Sequence, residues 1–517
     1  MRPQDVQKAK KSVMKVMGVH TGMHWTQPYI AVEEYQAGGT AFFIDPKDFG
    51  DVPFYNKRYR YLLTNFHVVD CVESKQVELC YPSKGFNKLR GRIIHVVPSL
   101  DVAILCIDPD DNHLAWRDGG SIHEFLEDIP NLKLNFNHVK GNSQDVIAIG
   151  FPSLSKDVQL CGGRISGRGL GMIQLNISLN GGNSGGPLLH KNKVIGICTA
   201  SEADTEAIGL AVPICQIIRF FRYWGDFSKE LMRMPSWGLH AGILTEDYLK
   251  YHNLDHKQGV LVQKVVEDQA CDRVGLKPKD IIMGINNSTG RYNIDSDGLV
   301  QVDWTDKKVP LTNNEFIMSL DPKSIELVVY KHRSKKTVKL KTLPTVIPFQ
   351  TREKWHHWEK TEYTLFGGAV FMDFCMNHME QDEEDEEPTV PFSKCVYITN
   401  HIKETMNMQN IVVCTHIPGQ TYLDTQRSLH IFDVIKKINK IKIKNVKHME
   451  ELIRDLALNM EGQRYIMIET HRGEVYVDLQ KIALQETLLA SKFDEQVFLS
   501  NMGKTRTRKR RKIHNVV

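Results

Sequence analysis

The sequence predicts a mainly β chain: an N-terminal all-β sandwich or barrel, then smaller repeated units that mix strands with helices. Two observations carry this. Between residues 12 and 224 the apolar runs GTAFFI, YLLTNFHVV, VELCY, GRIIHVV, VAILCI, DVIAIG, MIQLNI, KVIGICTA and AIGLAVPI recur, separated by Gly, Pro, Asn and Asp. Their spacing of roughly 8 to 15 residues, without long intervening helices, is that of consecutive short strands. Further on, Asp280-Ile-Ile-Met-Gly-Ile-Asn286 and Asp433-Val-Ile-Lys-Lys-Ile-Asn439 share the pattern D-[IV]-I-x-x-I-N. Each follows an apolar strand, GVLVQKVV or IVVCTHI, by a similar interval. Two copies of one small domain explain this most economically, against a chance likeness of two short strands.

In chain order, the first eleven residues are basic and precede the strand-rich region. Asp45 to Tyr59 is polar with Pro and Gly and reads as a surface loop between two strands. Pro213 to Trp224, PICQIIRFFRYW, has apolar residues at helical spacing and predicts a helix that closes the region. Within the second repeat, VKHMEELIRDL predicts a helix with Met449, Leu452, Ile453 and Leu456 on one face. Glu380 to Glu387, EQDEEDEE, has seven acids in eight residues and predicts a solvated loop. The tail Lys504 to Lys512, KTRTRKRRK, reads either as a solvated terminus, a nuclear or nucleolar address, or a weak nucleic-acid contact.

Composition bounds the rest. A chain of 517 residues is too long for one core and suggests about three domains. With 41% hydrophobic and 25% charged residues it matches ordinary globular protein. A net charge of +4 implies no general affinity for nucleic acid, and the tail lacks the aromatic residues that single strands stack on. No apolar window reaches the roughly 18 residues of a membrane span, and the N-terminus lacks a secretory h-region. The ten cysteines are scattered singly without a CxxC pair, which reads as buried reduced thiols in an intracellular compartment rather than disulfides or metal ligands. His20, His24, His95, His113 and the pair His356-His357 show no metal-ligand spacing and read as surface or satisfied residues, so no metal or cofactor is expected.

The chemistry-bearing stretch is Asn180-Gly-Gly-Asn-Ser-Gly-Gly-Pro-Leu-Leu189, which places Ser184 among four glycines. A serine hydroxyl needs a positioned base, and the base needs a group that fixes its tautomer. His67 in YLLTNFHVVD follows an apolar strand, and Asp101 in SLDVAILCI precedes one. Gly182, Ser184 and Gly186 also fit G-x-S-x-G, the nucleophile elbow of α/β-hydrolases. That motif requires a following helix and the order serine, acid, histidine, whereas here two strands follow and His67 and Asp101 both precede Ser184. The order His, Asp, Ser on a β-rich domain points to the chymotrypsin-type arrangement.

TNFHVV, DVAIL, GNSGGPLL and GLAVPI, in this order and spacing, resemble the Deg/HtrA serine proteases, and GLKPKDIIMGINN resembles their PDZ domains. The layout is closest to plant-type members. The resemblance implies a chymotrypsin-like double β-barrel at 12–230, a first PDZ domain at 235–343 and a divergent PDZ-like domain at 362–485, beginning near FGGAVF. Residues 1–11 and 486–517 would be basic flanks. Carried over, Ser184 is the nucleophile, His67 the general base and acid, and Asp101 the group that orients the imidazole. The N–H groups of Gly182 and Ser184 form the oxyanion hole. The resemblance further implies an ATP-independent endopeptidase acting on unfolded or damaged protein, and no P-loop occurs in the chain.

Ile197 to Ser201 offers no acid where a pocket for basic residues would use one, so cleavage after small or medium aliphatic residues is expected, with Asp204 and Glu206 nearby. The PDZ domains would bind peptide C-termini, with the turn at Trp237-Gly238-Leu239 a candidate for the first copy, or serve packing and assembly only. A homo-oligomer, a trimer or a multiple of one, is implied by resemblance alone. The family often has proline or serine ahead of the glycine loop, where this chain has Asn180-Gly181, and members switch the loop between collapsed and competent states. The alternative reading is a catalytically latent PDZ scaffold or chaperone-like peptide binder.

Overall fold

In the computed structural model, alternating apolar residues close the N-terminal half of the chain into two six-stranded barrels. The structure describes residues 2–81, 88–112, 121–139, 143–152, 155, 157–169, 171–199, 209–254, 258–346, 352–380, 395–403, 410–458 and 464–490. The first barrel comprises β1 (Val13–Thr21), β2 (Glu34–Ile44), β3 (Arg60–Thr64), β4 (Gln76–Cys80), β5 (Lys88–Val97) and β6 (Val102–Ile107). Its order is β1-β2-β3-β6-β5-β4, with β4 returning to pair β1. The second comprises β7 (Asp145–Gly150), β8 (Gln159–Gly169), β9 (Met172–Leu175), β10 (Pro187–His190), β11 (Lys193–Thr199) and β12 (Gly209–Pro213). Its order is β10-β11-β12-β9-β8-β7, closed by β10 against β7. Period-two burial places side chains inside: Val77 and Leu79 of β4 point inward between exposed neighbours, while every residue of β6 is buried.

The expected closing helix runs from Ile214 to Tyr223 and buries Ile217, Phe220 and Phe221. It changes the reading of the Asp45–Tyr59 segment. That segment contains a short 3-10 turn, Pro46–Phe49, and Phe49 is buried with its ring 4.9 Å from Phe221. Val52 is buried in the same core, so the segment anchors the helix instead of lying wholly at the surface.

The two D-[IV]-I-x-x-I-N copies form the third strand of one shared arrangement. In the first sheet, Leu239–Ile243, Val260–Val265, Ile281–Asn287, Glu326–Lys331 and Lys336–Lys341 are consecutive neighbours. In the second, Ala369–Asp373, Val412–His416, Val434–Ile438, Tyr465–Thr470 and Glu474–Asp478 repeat that order. The register repeats too, Val260 opposite Ile282 and Val412 opposite Ile435. The aspartate of the pattern explains its recurrence. Asp280 and Asp433 are both buried, and each accepts a backbone N–H three residues back, from Lys277 and His430 at 2.9 Å. Each also meets a cation from the strand side, Lys331 at 2.7 Å and Arg472 at 2.6 Å. A buried carboxylate needs such partners.

The chain divides into two compact units, Met1–Thr21 with Glu34–Ile347, and Gly22–Glu33 with Pro348–Val517. The segment Gly22–Glu33, which the sequence reading includes in 12–230, therefore belongs to the second unit. There Trp25 lies edge-on to His378, and Thr415 donates its hydroxyl to the Thr26 carbonyl at 2.8 Å. The final helix, Leu479–Ala490, continues past residue 485 and buries Glu486. All ten cysteines are free. Among the described residues no helix is long and apolar enough to cross a membrane. Asp204, Glu206, His113, the acidic run from residue 381 and the basic tail lie outside the described residues.

Candidate active site

His67 stands in the turn that follows β3, and Asp101 at the junction between a 3-10 turn, Pro98–Leu100, and β6. Asp101 holds the left-handed conformation, φ 48° and ψ 50°, which a short polar side chain tolerates. There its carboxylate faces the histidine. His67 Nδ1 lies 2.9 Å from both Asp101 oxygens, and the His67 backbone N–H donates to Oδ1 at 3.0 Å. Thr199 of β11 donates its hydroxyl to the other oxygen at 3.4 Å, so a second-barrel residue reaches the aspartate.

This contact fixes the imidazole chemically. With Nδ1–H directed at a carboxylate, Nε2 carries the basic lone pair. Burial pulls the His67 pKa down, but the hydrogen bond and charge of Asp101, joined by the charge of Asp70, outweigh it and hold the group above its ordinary 6.5.

Ser184 is buried in the turn that leads into β10. Gly182, with φ +89°, and Gly185, with φ +86°, take the left-handed conformation around it. A Cβ on Gly185 would stand 2.0 Å from the Thr40 carbonyl oxygen, and one on Gly186 would stand 2.2 Å from that of Ile149. Two of the glycines thus allow the serine loop to press against neighbouring backbone.

Two residues that sequence reading passes over hold the halves together. Asn65, fully buried, donates from Nδ2 to the Asp101 carbonyl at 2.9 Å and accepts the Gly185 N–H on Oδ1 at 2.6 Å. Thr40, also fully buried, donates its backbone N–H to the Ser184 carbonyl at 2.8 Å and its hydroxyl to the Gly182 carbonyl at 2.7 Å. The Thr40 hydroxyl also accepts the Phe151 N–H at 3.0 Å, and the Thr64 hydroxyl donates to the Thr40 carbonyl at 2.8 Å. Asn65 sits inside the TNFHVV stretch, so a signal existed; Thr40 sits in GTAFFI, where nothing local marks it.

Two family models match the chain. One, for the trypsin-like peptidase domain, matches residues 39–197; the other, for the PDZ domain, matches residues 354–489, the copy read as divergent. Among similar proteins, the mitochondrial Do-like protease 3 of Arabidopsis thaliana is 25% identical over 481 residues, covering 89% of this chain and 76% of the relative. The mitochondrial protease Do-like 4 of the same plant is 23% identical over 503 residues, covering 89% and 81%. A DegP-like periplasmic serine endoprotease of Rickettsia conorii is 24% identical over 465 residues, covering 86% and 77%. A solved HtrA-type protease, AlgW with a decapeptide, aligns at 20% identity with a TM-score of 0.44, covering 66% of this chain and 98% of that one.

Proposed function

This chain is a serine protease of the Deg/HtrA type with a trypsin-like peptidase domain and a PDZ domain, and from that premise we propose that it is an ATP-independent endopeptidase working through Ser184, His67 and Asp101. The single observation that carries the reading is the His67 Nδ1 contact with both Asp101 oxygens at 2.9 Å, beside a serine loop anchored on Thr40 and Asn65. Ser184 Oγ attacks the scissile carbonyl carbon while His67 Nε2 takes the hydroxyl proton. The same proton passes to the amine as the peptide bond breaks, and water then releases the acyl group by the reverse sequence. The Asp101 carboxylate stabilises the imidazolium. The N–H groups of Gly182 and Ser184 serve as the oxyanion hole, a contribution of about 2.7–4 kcal/mol per donor.

The proposed substrates are unfolded or damaged proteins, cut after small or medium aliphatic residues. Support comes from the apolar, acid-free stretch Ile197 to Ser201, of which Ile197 and Cys198 are buried. Residues 12–230 without Gly22–Glu33, residues 235–343, and residues 362–485 extended through the helix to Ala490 are proposed as the protease and two PDZ domains. For the PDZ copies the proposed roles are binding of peptide C-termini or packing and assembly, with packing favoured for the second copy. At the candidate capture turn of the first copy Gly238 donates its N–H to Ser236 Oγ at 3.3 Å, and in the second copy Gly367 donates to Glu486 Oε1 at 2.9 Å. A homo-oligomer, a trimer or a multiple of one, and a nuclear or nucleolar address for the basic tail are the remaining parts of the proposal. Size measurement in solution and the distribution of a tagged chain with and without KTRTRKRRK test them.

The test of activity is cleavage of an unfolded, fluorescently labelled protein without ATP, wild type beside Ser184→Ala. Cleavage by the wild type alone supports the triad. Equal cleavage by both variants refutes it, and cleavage by neither, even with C-terminal peptides added, turns the reading to a latent scaffold.

A further inference from the structure

The turn that carries His67 continues into Asp70 and Cys71, and β1 brings His20 against them. One donor atom from each of these three side chains lies within 4.8 Å of the others. The His20 Nδ1 and an Asp70 oxygen are 3.9 Å apart. Backbone contacts from both sides hold the group. Thr21 donates its N–H to the Cys71 carbonyl at 2.9 Å, and His20 bridges to Val72. The Cys71 N–H donates to Asp70 Oδ1 at 2.7 Å, which sets the carboxylate beside the thiol. His20 is almost fully buried and stacks on Tyr35 with ring centroids 5.4 Å apart, so its ring direction is fixed by packing. Asp70 and Cys71 are partly exposed and give an entry path.

One imidazole, one carboxylate and one thiol, which burial and the charge of Asp70 keep protonated until a cation displaces the proton, are the donor types of a tetrahedral zinc site with a fourth position left to water. Ligand bonds of about 2.0–2.3 Å need donors roughly 3–4 Å apart, a separation the His20–Asp70 pair already has. We propose that His20, Asp70 and Cys71 bind a zinc-class divalent cation, and that its binding restrains proteolysis at the neighbouring His67. The restraint rests on the catalytic reading above and follows from charge. Asp70 stands three residues after His67 in the same turn, in which Val69 donates its N–H to the Phe66 carbonyl at 2.8 Å. His67 becomes an imidazolium when it takes the Ser184 proton. A divalent cation on Asp70 replaces an attractive charge by a repulsive one at that step, and it ties the segment after His67 to β1.

The binding test uses the full chain as Ser184→Ala, which requires no activity, titrated with zinc alone and with cobalt as a spectroscopic substitute. One equivalent is expected to be lost, or weakened at least about 10-fold, on adding Cys71→Ser, since even partners outside the ligand shell cost that much. The thiolate-to-cobalt absorption should vanish with it. His20→Gln provides a second variant that leaves the thiol in place, and should show the same loss with an unchanged circular dichroism spectrum. Equal stoichiometry and affinity in the parent and both variants would overturn the site. In the active chain, zinc should slow cleavage and Cys71→Ser should be resistant. Equal inhibition of both, or none in the wild type, overturns the restraint. A chain that binds zinc as expected but never cleaves would refute the protease reading while leaving the site intact.

Discussion

Replacing Asn65 by alanine tests whether the joint between the barrels organises the catalytic groups. The side chain makes two contacts that do not weigh equally. The Gly185 N–H also donates to the Cys198 carbonyl at 2.9 Å, so it keeps a partner when Asn65 Oδ1 is removed. That loss is a shared hydrogen bond, about 0.5–1.5 kcal/mol. The Asp101 carbonyl loses its Asn65 donor in a water-poor place, about 1–3 kcal/mol. The sum is roughly 1.5–4.5 kcal/mol, concentrated at the residue beside Ser184 and at Asp101, the residue proposed to orient His67. Hydrogen exchange at the Gly185 amide should accelerate by about 10- to 1500-fold if the loop opens locally, at about 1.4 kcal/mol per tenfold. Phosphonylation of Ser184 by an activated organophosphonate, in which Oγ bonds to phosphorus and the leaving group departs, reports the chemistry without a protein substrate, and its rate should fall at least about 10-fold. Wild-type exchange at Gly185 together with wild-type phosphonylation would refute the assignment, because the bridge would then carry neither order nor orientation.

The pH dependence of kcat/KM should show an acid limb above 6.5, since His67 must be neutral to take the serine proton and its pKa is raised. Asp101→Asn should move that limb down and lower kcat by about 10⁴-fold; a wild-type limb at or below 6.5 contradicts the assignment. In the second unit, burial pushes Glu486 from 4.5 up to about 7, against the Gly367 N–H that favours ionisation. A raised acid penalises the folded state where the unfolded chain ionises first. The penalty is therefore absent below pH 4.5, grows between 4.5 and about 7, and levels off near 3 kcal/mol above that. Glu486→Gln should raise the calorimetric unfolding temperature relative to wild type at pH 8 but not at pH 4. His378, pushed down to about 4 by burial, imposes the opposite slope between about 4 and 6.5, so each comparison is made at matched pH. A pH-independent difference would show that Glu486 does not carry this charge penalty.

The parts of the fold legible in the sequence are those whose cause is local. β6 is an uninterrupted apolar run, and the D-[IV]-I-x-x-I-N repeat can be read because one aspartate caps a turn and accepts a cation in each copy. β8, QLCGGRISGRG, has glycine, arginine and serine throughout, and becomes a strand only by pairing with β7 and β9. Phe49 reads as part of a polar loop until the helix ending at Tyr223 offers it Phe221. His20 reads as a satisfied histidine because its neighbours Asp70 and Cys71 stand some fifty positions away in the sequence; closure of the barrel brings them together.

The glycines around Ser184 show the same division inside one motif. Their density alone suggests room for a substrate and backbone turned toward its carbonyl, and the positive φ of Gly182 is consistent with that use. Gly185 and Gly186 have another cause. Each lies where a Cβ would enter the carbonyl oxygen of Thr40 or Ile149, and Thr40 is the residue that receives the serine loop on the first barrel. Those two glycines are dictated by the approach of two backbones distant in sequence. The Ser184 motif therefore encodes a joint as well as the proposed nucleophile, with Thr40 and Asn65 as its counterparts on the first barrel.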